Sequence, residues 1–381
     1  MKILLFIGRL SLGGAERQLI NVANGLSTKG HEVTVCTLFP HTGLPLNLLD
    51  DVKVKVVPLC TSISSNPFST LLKMAFAPIR LRRLIGSVGS DVIYSMLYLP
   101  NFIAWLATRG ALSGRLVWGI RSSNMTLNWK RAIPQWLCAR VSASVPLLIV
   151  NSHSGNAYHR KLGYRAIVSQ VIVNGIDTEK FVYSADKKHL LREELSIPDG
   201  VTTIGIVGRL DPMKDYQTFL DSAALVKKSV SEVIFVCVGS GSPIYTDYLK
   251  SYAKNLGVDD GVVWLGSRDN MQDVYPLFDL LVSSSAYGEG FSNSIGEAMA
   301  CGIPCVVTDV GDSVKIVSDL GLSVPHSDSN ALANAIIRQI DNIQSGRCDH
   351  VLIREQIANN FSIAKLVDET ELSIKKLVEN K

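Results

Sequence analysis

No stretch of this 381-residue chain approaches the roughly 20 uninterrupted apolar residues that a membrane-spanning helix requires. The opening MKILLFIGRL is interrupted by Arg9 too early for a secretory leader, so no export signal is expected. The seven cysteines (Cys36, Cys60, Cys138, Cys237, Cys301, Cys305 and Cys348) are odd in number and scattered. Cys301 and Cys305 flank a Gly-Ile-Pro turn, but no second pair completes a zinc site. Reduced thiols filling the core of a cytosolic protein are expected. There is no Asp-x-Asp run to hold a nucleotide-bridging metal, and no heptad array, low-complexity tract or short-period repeat. Base-stacking modules and recognition-helix motifs are also missing.

Acidic residues are scarce in one half only. Residues 1–184 hold 20 Lys+Arg against 7 Asp+Glu, a charge of +13. Residues 185–381 hold 18 against 27, a charge of −9. That asymmetry predicts an anionic partner for the first half, either nucleic acid or an anionic membrane surface. Two segments there, KMAFAPIRLRRLIG (73–86) and WKRAIPQWLCAR (129–140), interleave Lys73, Arg80, Arg82 and Arg83, and then three further cations, with apolar and aromatic residues including Trp129 and Trp136. Basic amphipathic segments of this kind suit peripheral docking on anionic lipid, although a solvated face over an ordinary core has the same pattern.

The 47% hydrophobic and 19% charged content fits a compact α/β enzyme. Short apolar runs at 2–7, 31–38, 52–59, 91–97, 115–120 and 146–152 read as buried strands with helical stretches between some of them. The pattern restarts at 202–210 and continues at 233–241, 262–267, 279–285 and 303–311. Two doubly wound parallel-sheet α/β domains are therefore predicted, over residues 1–184 and 185–361. They join across the polar stretch near 177–200, and a terminal helix at 362–381 packs back on the first domain. Ile363, Leu366, Leu372 and Leu377 are that helix's apolar positions.

Ligands in such folds sit at the carboxyl ends of strands. The run EGFSNSIGEAMACGIP (289–304) follows a predicted strand and opens a helix near Asn293 that ends at Ala300. The helix start offers unpaired N–H groups and a positive dipole end to a phosphate. Gly290 permits close approach, and Ser292 and Asn293 are good capping residues. Glu297, one turn in, can accept hydrogen bonds from a ribose diol, and Glu289 lies where a hexose would sit. Taken singly, each acid can equally be a solvated or turn residue. In GRLDPMKDY (208–216), Arg209 as a planar fork and Lys214 as a point charge can neutralise a diphosphate. A leaving nucleoside diphosphate needs such charge, from a metal or from cations. Gly13 and Gly14, after the first strand, can admit a diphosphate from the opposite domain or simply form a turn.

In this combination the sequence resembles the retaining glycosyltransferases of family 4, also called group 1. The matching elements are GGAERQL (13–19), HEVTV (31–35), GIRSSN (119–124), VIVNGIDTEKF (171–181), GRLDPMKDY (208–216) and EGFSNSIGEAMACGIPCVVTDVG (289–311), in the family's order. The resemblance implies the GT-B fold, two Rossmann-like domains facing each other across a cleft. It also implies sugar transfer from a nucleotide-sugar donor with retention and no required metal or other cofactor. By the family pattern Glu297 holds the ribose, and Arg209 and Lys214 hold the diphosphate. Glu289 holds the donor sugar, so that Glu289, Arg209 and Lys214 carry the catalysis. The backbone of Gly290, Phe291, Ser292 and Asn293 lines the diphosphate, Gly14 approaches it, and Gly266, Ser267 and Arg268 lie against the base.

Many relatives carry a histidine in the first domain near the acceptor. Here Leu99 stands in that stretch, YLPNFIAW, which leaves a front-face mechanism in which the leaving phosphate takes the acceptor's proton. Arg121 and Asn101 are the candidate acceptor contacts; Arg121 can equally form a structural salt bridge, and Asn101 is also a natural helix-start residue. The expected reaction moves a hexose or N-acetylhexosamine, from a UDP-sugar rather than a GDP-sugar, to a lipid-pyrophosphate-linked or oligosaccharide acceptor in bacterial surface polysaccharide synthesis. It would take place at the cytoplasmic face of the membrane. The alternatives are a sugar-nucleotide 2-epimerase or hydrolase on the same fold, or a non-catalytic nucleotide- or nucleic-acid-binding protein. The first needs a histidine near the donor, and none falls in the motif loops. The second leaves the donor motifs without a role.

Overall fold

The computed structural model describes residues 1–10, 13–40, 49, 54–60, 72–123 and 129–379, without the side chains of Trp129 and Lys130. Asn124, in the GIRSSN stretch, lies outside the described residues, as does the Trp129 side chain. The chain divides into two units, one made of Met1–Gly175 with Ile363–Lys381, the other of Ile176–Ser362.

The first unit is built on a parallel sheet of β1 (Lys2–Ile7), β2 (Glu32–Thr37), β3 (Val54–Pro58), β4 (Val92–Met96), β5 (Leu116–Ile120), β6 (Leu147–Val150) and β7 (Val168–Val171). Their order is β3-β2-β1-β4-β5-β6-β7. The second sheet comprises β8 (Thr202–Val207), β9 (Val233–Val238), β10 (Val262–Gly266), β11 (Leu280–Ser283), β12 (Cys305–Thr308) and β13 (Leu322–Val324), in the order β10-β9-β8-β11-β12-β13. Both are doubly wound Rossmann orders, which reverse direction beside the first strand of each unit. Central strands such as β1, β4 and β8 are buried on both faces, which is why they read as near-continuous apolar runs. β7 and β13 are short edge strands, VSQV and LSV, with little burial and a polar interior, and the sequence pattern misses both.

The boundary differs from the predicted one at 184/185. Residues 177–184 belong wholly to the second unit, because Ile176 N bonds to Phe361 O at 2.7 Å and Ile176 bridges Ser362. Arg354 adds bonds to the carbonyls of Thr178, at 2.6 Å, and Phe181, at 2.9 Å. The terminal helix Ile363–Glu379 lies against the Gly14–Thr28 helix at a close crossing, where a Cβ on Gly25 would come within 2.3 Å of Val367. Its buried stripe is Leu366, Val367 and Ile374 rather than one including Leu372, which is exposed. Glu371 ties it further to Lys29 and His31, each at 2.9 Å. Gln18, from GGAERQL, clamps Gly175 with both ends of its amide, at 3.0 and 2.8 Å. All seven cysteines are unpaired, six of them buried. Among the described residues no helix is long and apolar enough to cross a membrane.

Candidate functional site

In the second unit the strand order reverses between β8 and β11, so the loops leaving these two strands emerge side by side. Those loops are 208–215 and 284–292, the two motif-bearing stretches.

The first loop is held down over the end of β9. Gly208 N bonds Val238 O at 2.9 Å, and Leu210 N bonds Ser240 O at 3.0 Å. Gly239 crosses beneath at φ +140°, where a Cβ would stand 1.8 Å from Gly208 O, so only glycine fits. Asp211 then accepts from Met213 N at 2.9 Å and sets the turn Pro212–Lys214. Asp215, at φ +48°, caps the following Tyr216–Ser229 helix through Thr218. The second loop is stitched to the first by Ala286 N to Met213 O at 2.9 Å, and by Ser284 Oγ to the carbonyls of Lys214 and Asp215.

This stitching aims Lys214 at Glu289, and the two form an ion pair whose side chains are only 14% and 9% exposed. Ser285 Oγ donates to the same carboxylate oxygen at 2.9 Å. Burial by itself pushes the Glu289 carboxyl up. The charge and hydrogen bond of Lys214, the bond from Ser285 and the charge of Arg209 outweigh it and hold the carboxyl below its ordinary value. Behind the loop, Asp312 N bonds Gly290 O at 3.0 Å. Gly311, at φ +69°, leaves no room for a side chain against Glu289 O, 2.6 Å from its would-be Cβ.

Lys214, expected together with Arg209 to face a diphosphate, thus has its charge matched by Glu289. The residual positive charge belongs to Arg209, 64% exposed and only loosely paired with Asp211 at 3.7 Å.

The Asn293–Ala300 helix starts where the sequence indicates. Ser292 occupies the N-cap but makes no side-chain capping bond, contrary to expectation; its hydroxyl turns to Ser294 Oγ at 3.2 Å. Phe291 is buried against Phe361, so its side chain anchors the loop while its backbone stays at the helix entrance. Glu297, in the second turn, accepts a 2.7 Å bond from the Tyr275 hydroxyl. Tyr275 is fully buried between Phe181 and Phe278. Burial, and then the charge of Glu297, raise its phenol well above the ordinary value, so it remains a donor. Nothing in the sequence marks Tyr275, which sits in an unremarkable YPLFDL stretch.

Two predictions test this arrangement. Glu297→Ala should weaken donor affinity by about 1.5–3 kcal/mol. Tyr275→Phe keeps the ring packing but removes one of the bonds that orient the carboxylate, so donor KM should rise while kcat and Tm hold. Steady-state kinetics with a thermal melt decide it; an unchanged KM would show that Tyr275 only fills the core.

The other candidates fare unevenly. Gly266, the last residue of β10, and Ser267, just after it, are exposed, Gly266 O accepting from Gly239 N at 2.8 Å and Ser267 Oγ bonding Ser240 Oγ at 2.7 Å. The end of β10 is thus tied to the loop after β9. Arg268 instead turns to Glu194 at 3.0 Å. In the first unit, Gly14 is exposed at the start of its helix. Arg121 is held by Asn174 Oδ1 at 3.0 Å and Tyr94 OH at 3.1 Å.

Asn101 is a correction. It is wholly buried, accepting from Ser95 Oγ at 2.7 Å and donating to Gly119 O at 3.1 Å, so its amide is spent on the fold. Leu99 is half-buried against the apolar core. The adjacent Tyr98 hydroxyl meets Ser122 Oγ at 3.0 Å and His159 Nε2 at 2.8 Å. His159 is fully buried and burial lowers its pKa, so this histidine is a neutral structural partner.

With this geometry in view, two family models match the chain: "Glycosyltransferase Family 4" over residues 12–180 and "Glycosyl transferases group 1" over residues 201–342. Over their full length, solved structures with the two-domain GT-B fold superpose on it. The Anabaena protein HepE in complex with UDP gives a TM-score of 0.82 at 22% identity, covering 99% of this chain and 100% of that one. Sucrose-phosphate synthase from Thermosynechococcus elongatus gives 0.81 at 20%, covering all of both. Among sequence relatives, the UDP-Gal:α-D-GlcNAc-diphosphoundecaprenol α-1,3-galactosyltransferase of Escherichia coli is 25% identical over 87% of this chain and 86% of its own length. A Campylobacter jejuni N-acetylgalactosaminyltransferase acting on a diphospho-undecaprenol acceptor is 24% identical over 87% and 88%. The fold is GT-B, and the chain belongs to the group 1 glycosyltransferases.

Proposed function

We propose that the protein transfers a hexosyl or N-acetylhexosaminyl group from a UDP-sugar to a lipid-pyrophosphate-linked saccharide, with retention of anomeric configuration and without a metal, in bacterial surface polysaccharide synthesis. The observation that carries this reading is the Lys214–Glu289 pair at the strand-order reversal, beside the entrance of the Asn293–Ala300 helix. The acceptors named for the Escherichia coli and Campylobacter jejuni relatives support the lipid-linked class, and the UDP bound by HepE supports the nucleotide.

In this mechanism the diphosphate lies at the helix entrance against the backbone of Gly290–Asn293, where N–H groups and the dipole favour negative charge. Glu297 accepts from the ribose hydroxyls, and Glu289 from hydroxyls of the transferred sugar. As the bond from C1 to the phosphate oxygen breaks, the acceptor oxygen bonds C1 from the same face. The acceptor's proton passes to the departing phosphate, so no protein base is needed. Negative charge growing on that phosphate is met by Arg209 and by Lys214, already oriented by Glu289.

A thermal-shift panel of UDP, GDP and their common sugar conjugates tests the donor class. At a hundredfold excess over Kd a true ligand adds about 2.7 kcal/mol of stability. UDP and one or two UDP-sugars should do so while GDP does not, and the responding sugar should release UDP slowly in water. An equal response to GDP, or a product of inverted configuration, would overturn the proposal.

A further inference from the structure

The outer surface of the first unit has an unusual composition. Between Val52 and Ile176 the only acidic residue is Asp91. It immediately precedes β4, at the amino edge of the sheet, where it accepts from Lys2 N at 2.8 Å. Three helices, Ala77–Val88, Tyr98–Thr108 and Trp129–Val141, lie side by side over one face of this sheet, the middle one touching both others. Their inner faces cover a core that includes Leu81, Ile85, Ile103, Ala104, Ala107 and Cys138. Arg82 bridges the first two by donating to the carbonyls of Ala107 and Arg109 at 3.0 and 2.9 Å.

The outward faces are not the polar surface such helices normally turn to water. Leu72, Phe76 and Ile79, spaced i, i+4 and i+7 along the first helical segment, are about half exposed, and Arg83 continues the stripe. On the third helix Ile133 and Trp136 are likewise exposed, Trp136 at 55%. Arg140 extends that stripe with its guanidinium 4.8 Å from the Trp136 ring. Each stripe is therefore apolar at its start and cationic at its end. A crossover helix runs antiparallel to the parallel strands it joins, so the starts of these helices lie toward the strands' carboxyl edge. That is the edge from which Gly14 and Arg121 also emerge.

We propose that this three-helix layer is a docking surface for an anionic lipid bilayer. Phe76, Ile79, Ile133 and Trp136 insert at the headgroup boundary, and Arg83 and Arg140 lie among the lipid phosphates. Nucleic acid would explain the charge but not four large apolar side chains exposed among it, and an acid-free surface has nothing to repel an anionic bilayer. An acceptor carried on lipid would then be presented at the edge of the sheet nearest the bilayer. The docking itself does not depend on which sugar nucleotide is used.

The test is co-sedimentation of the intact protein with vesicles of phosphatidylcholine alone and with phosphatidylglycerol added, at low and high salt, with no sugar nucleotide present. Binding is expected only to the phosphatidylglycerol vesicles, and it should fall as salt shortens the screening length. The double variant Phe76→Glu, Trp136→Glu should lose about tenfold in vesicle affinity while Tm and UDP-sugar hydrolysis are unchanged. Arg83→Glu, Arg140→Glu should do the same and flatten the salt dependence. Equal binding to neutral vesicles, or undiminished binding by either variant, overturns the proposal. So does retention of duplex or single-stranded DNA by the same residues while vesicles are ignored. Because the readout needs no donor, its failure leaves the glycosyl-transfer reading standing, and the reverse also holds.

Discussion

Lys214→Ala is expected to lose both stability and turnover, and its stability deficit should shrink in acid. Removing one partner of a buried pair leaves the other charge without compensation, a cost of about 3–5 kcal/mol. In the parent, the Glu289 carboxyl lies below its ordinary value. Its contribution is therefore complete above the unfolded carboxyl's pKa and is lost as pH falls through the lower folded value. In the variant, burial acts without Lys214 to offset it, so that carboxyl lies higher than in the parent. The folded variant then takes up a proton sooner than the folded parent, so acidification narrows the gap between them. Urea unfolding near neutral pH and near pH 5 should show the parent–variant gap at full size and then reduced. A gap under about 1 kcal/mol, or one indifferent to pH, would mean the pair is not buried as described. Lys214→Met combined with Glu289→Gln removes both charges at similar volume. It should recover most of the stability and none of the turnover, separating the fold from the chemistry.

Arg209→Ala should behave in the opposite way. Its side chain is 64% exposed and its contact with Asp211 spans 3.7 Å, so the pair contributes little to folding. Stability should stay within about 0.5 kcal/mol of the parent. Yet it is the one cation of the motif not matched by a buried acid, and donor turnover should fall by about 10²–10³ if it meets the leaving diphosphate. Arg209→Lys should recover only part of this, since a point charge cannot reproduce the planar fork. Turnover within about threefold of the parent would remove Arg209 from the mechanism.

Most strands were legible because a central parallel strand must be apolar on both faces, and that leaves a contiguous run. β7 and β13 were not, because they are edge strands of only four and three residues, VSQV and LSV, with polar residues inside and no apolar run to read. The Asn293–Ala300 helix and its glycine-led entrance were visible, since loop-to-helix transitions have local chemistry. Ser292 shows the limit of that reading: the residue type suits a cap, but the hydroxyl found Ser294 instead. Asn101 shows it again, since the same asparagine that could orient a ligand satisfies a buried serine and a strand carbonyl. Tyr275 carried no signal because a tyrosine before a buried strand is ordinary, and only its distant partner makes it matter.

The exposed apolar stripes of the first unit lie between these cases. Their composition was plain in the sequence. Whether Phe76 and Trp136 pointed into a core or out of it depended on which helix faces the sheet covered.

By itself the sequence determined two rounds of strand and helix, the glycine-bearing loops that close the strands, and which half of the chain is basic. These follow from short-range sterics and from the periodicity of burial. Only the tertiary structure decided that Lys214 is held by Glu289, 75 residues away. That partnership exists because β8 lies beside β11, and strand order is fixed by long-range packing that leaves no mark on either loop alone.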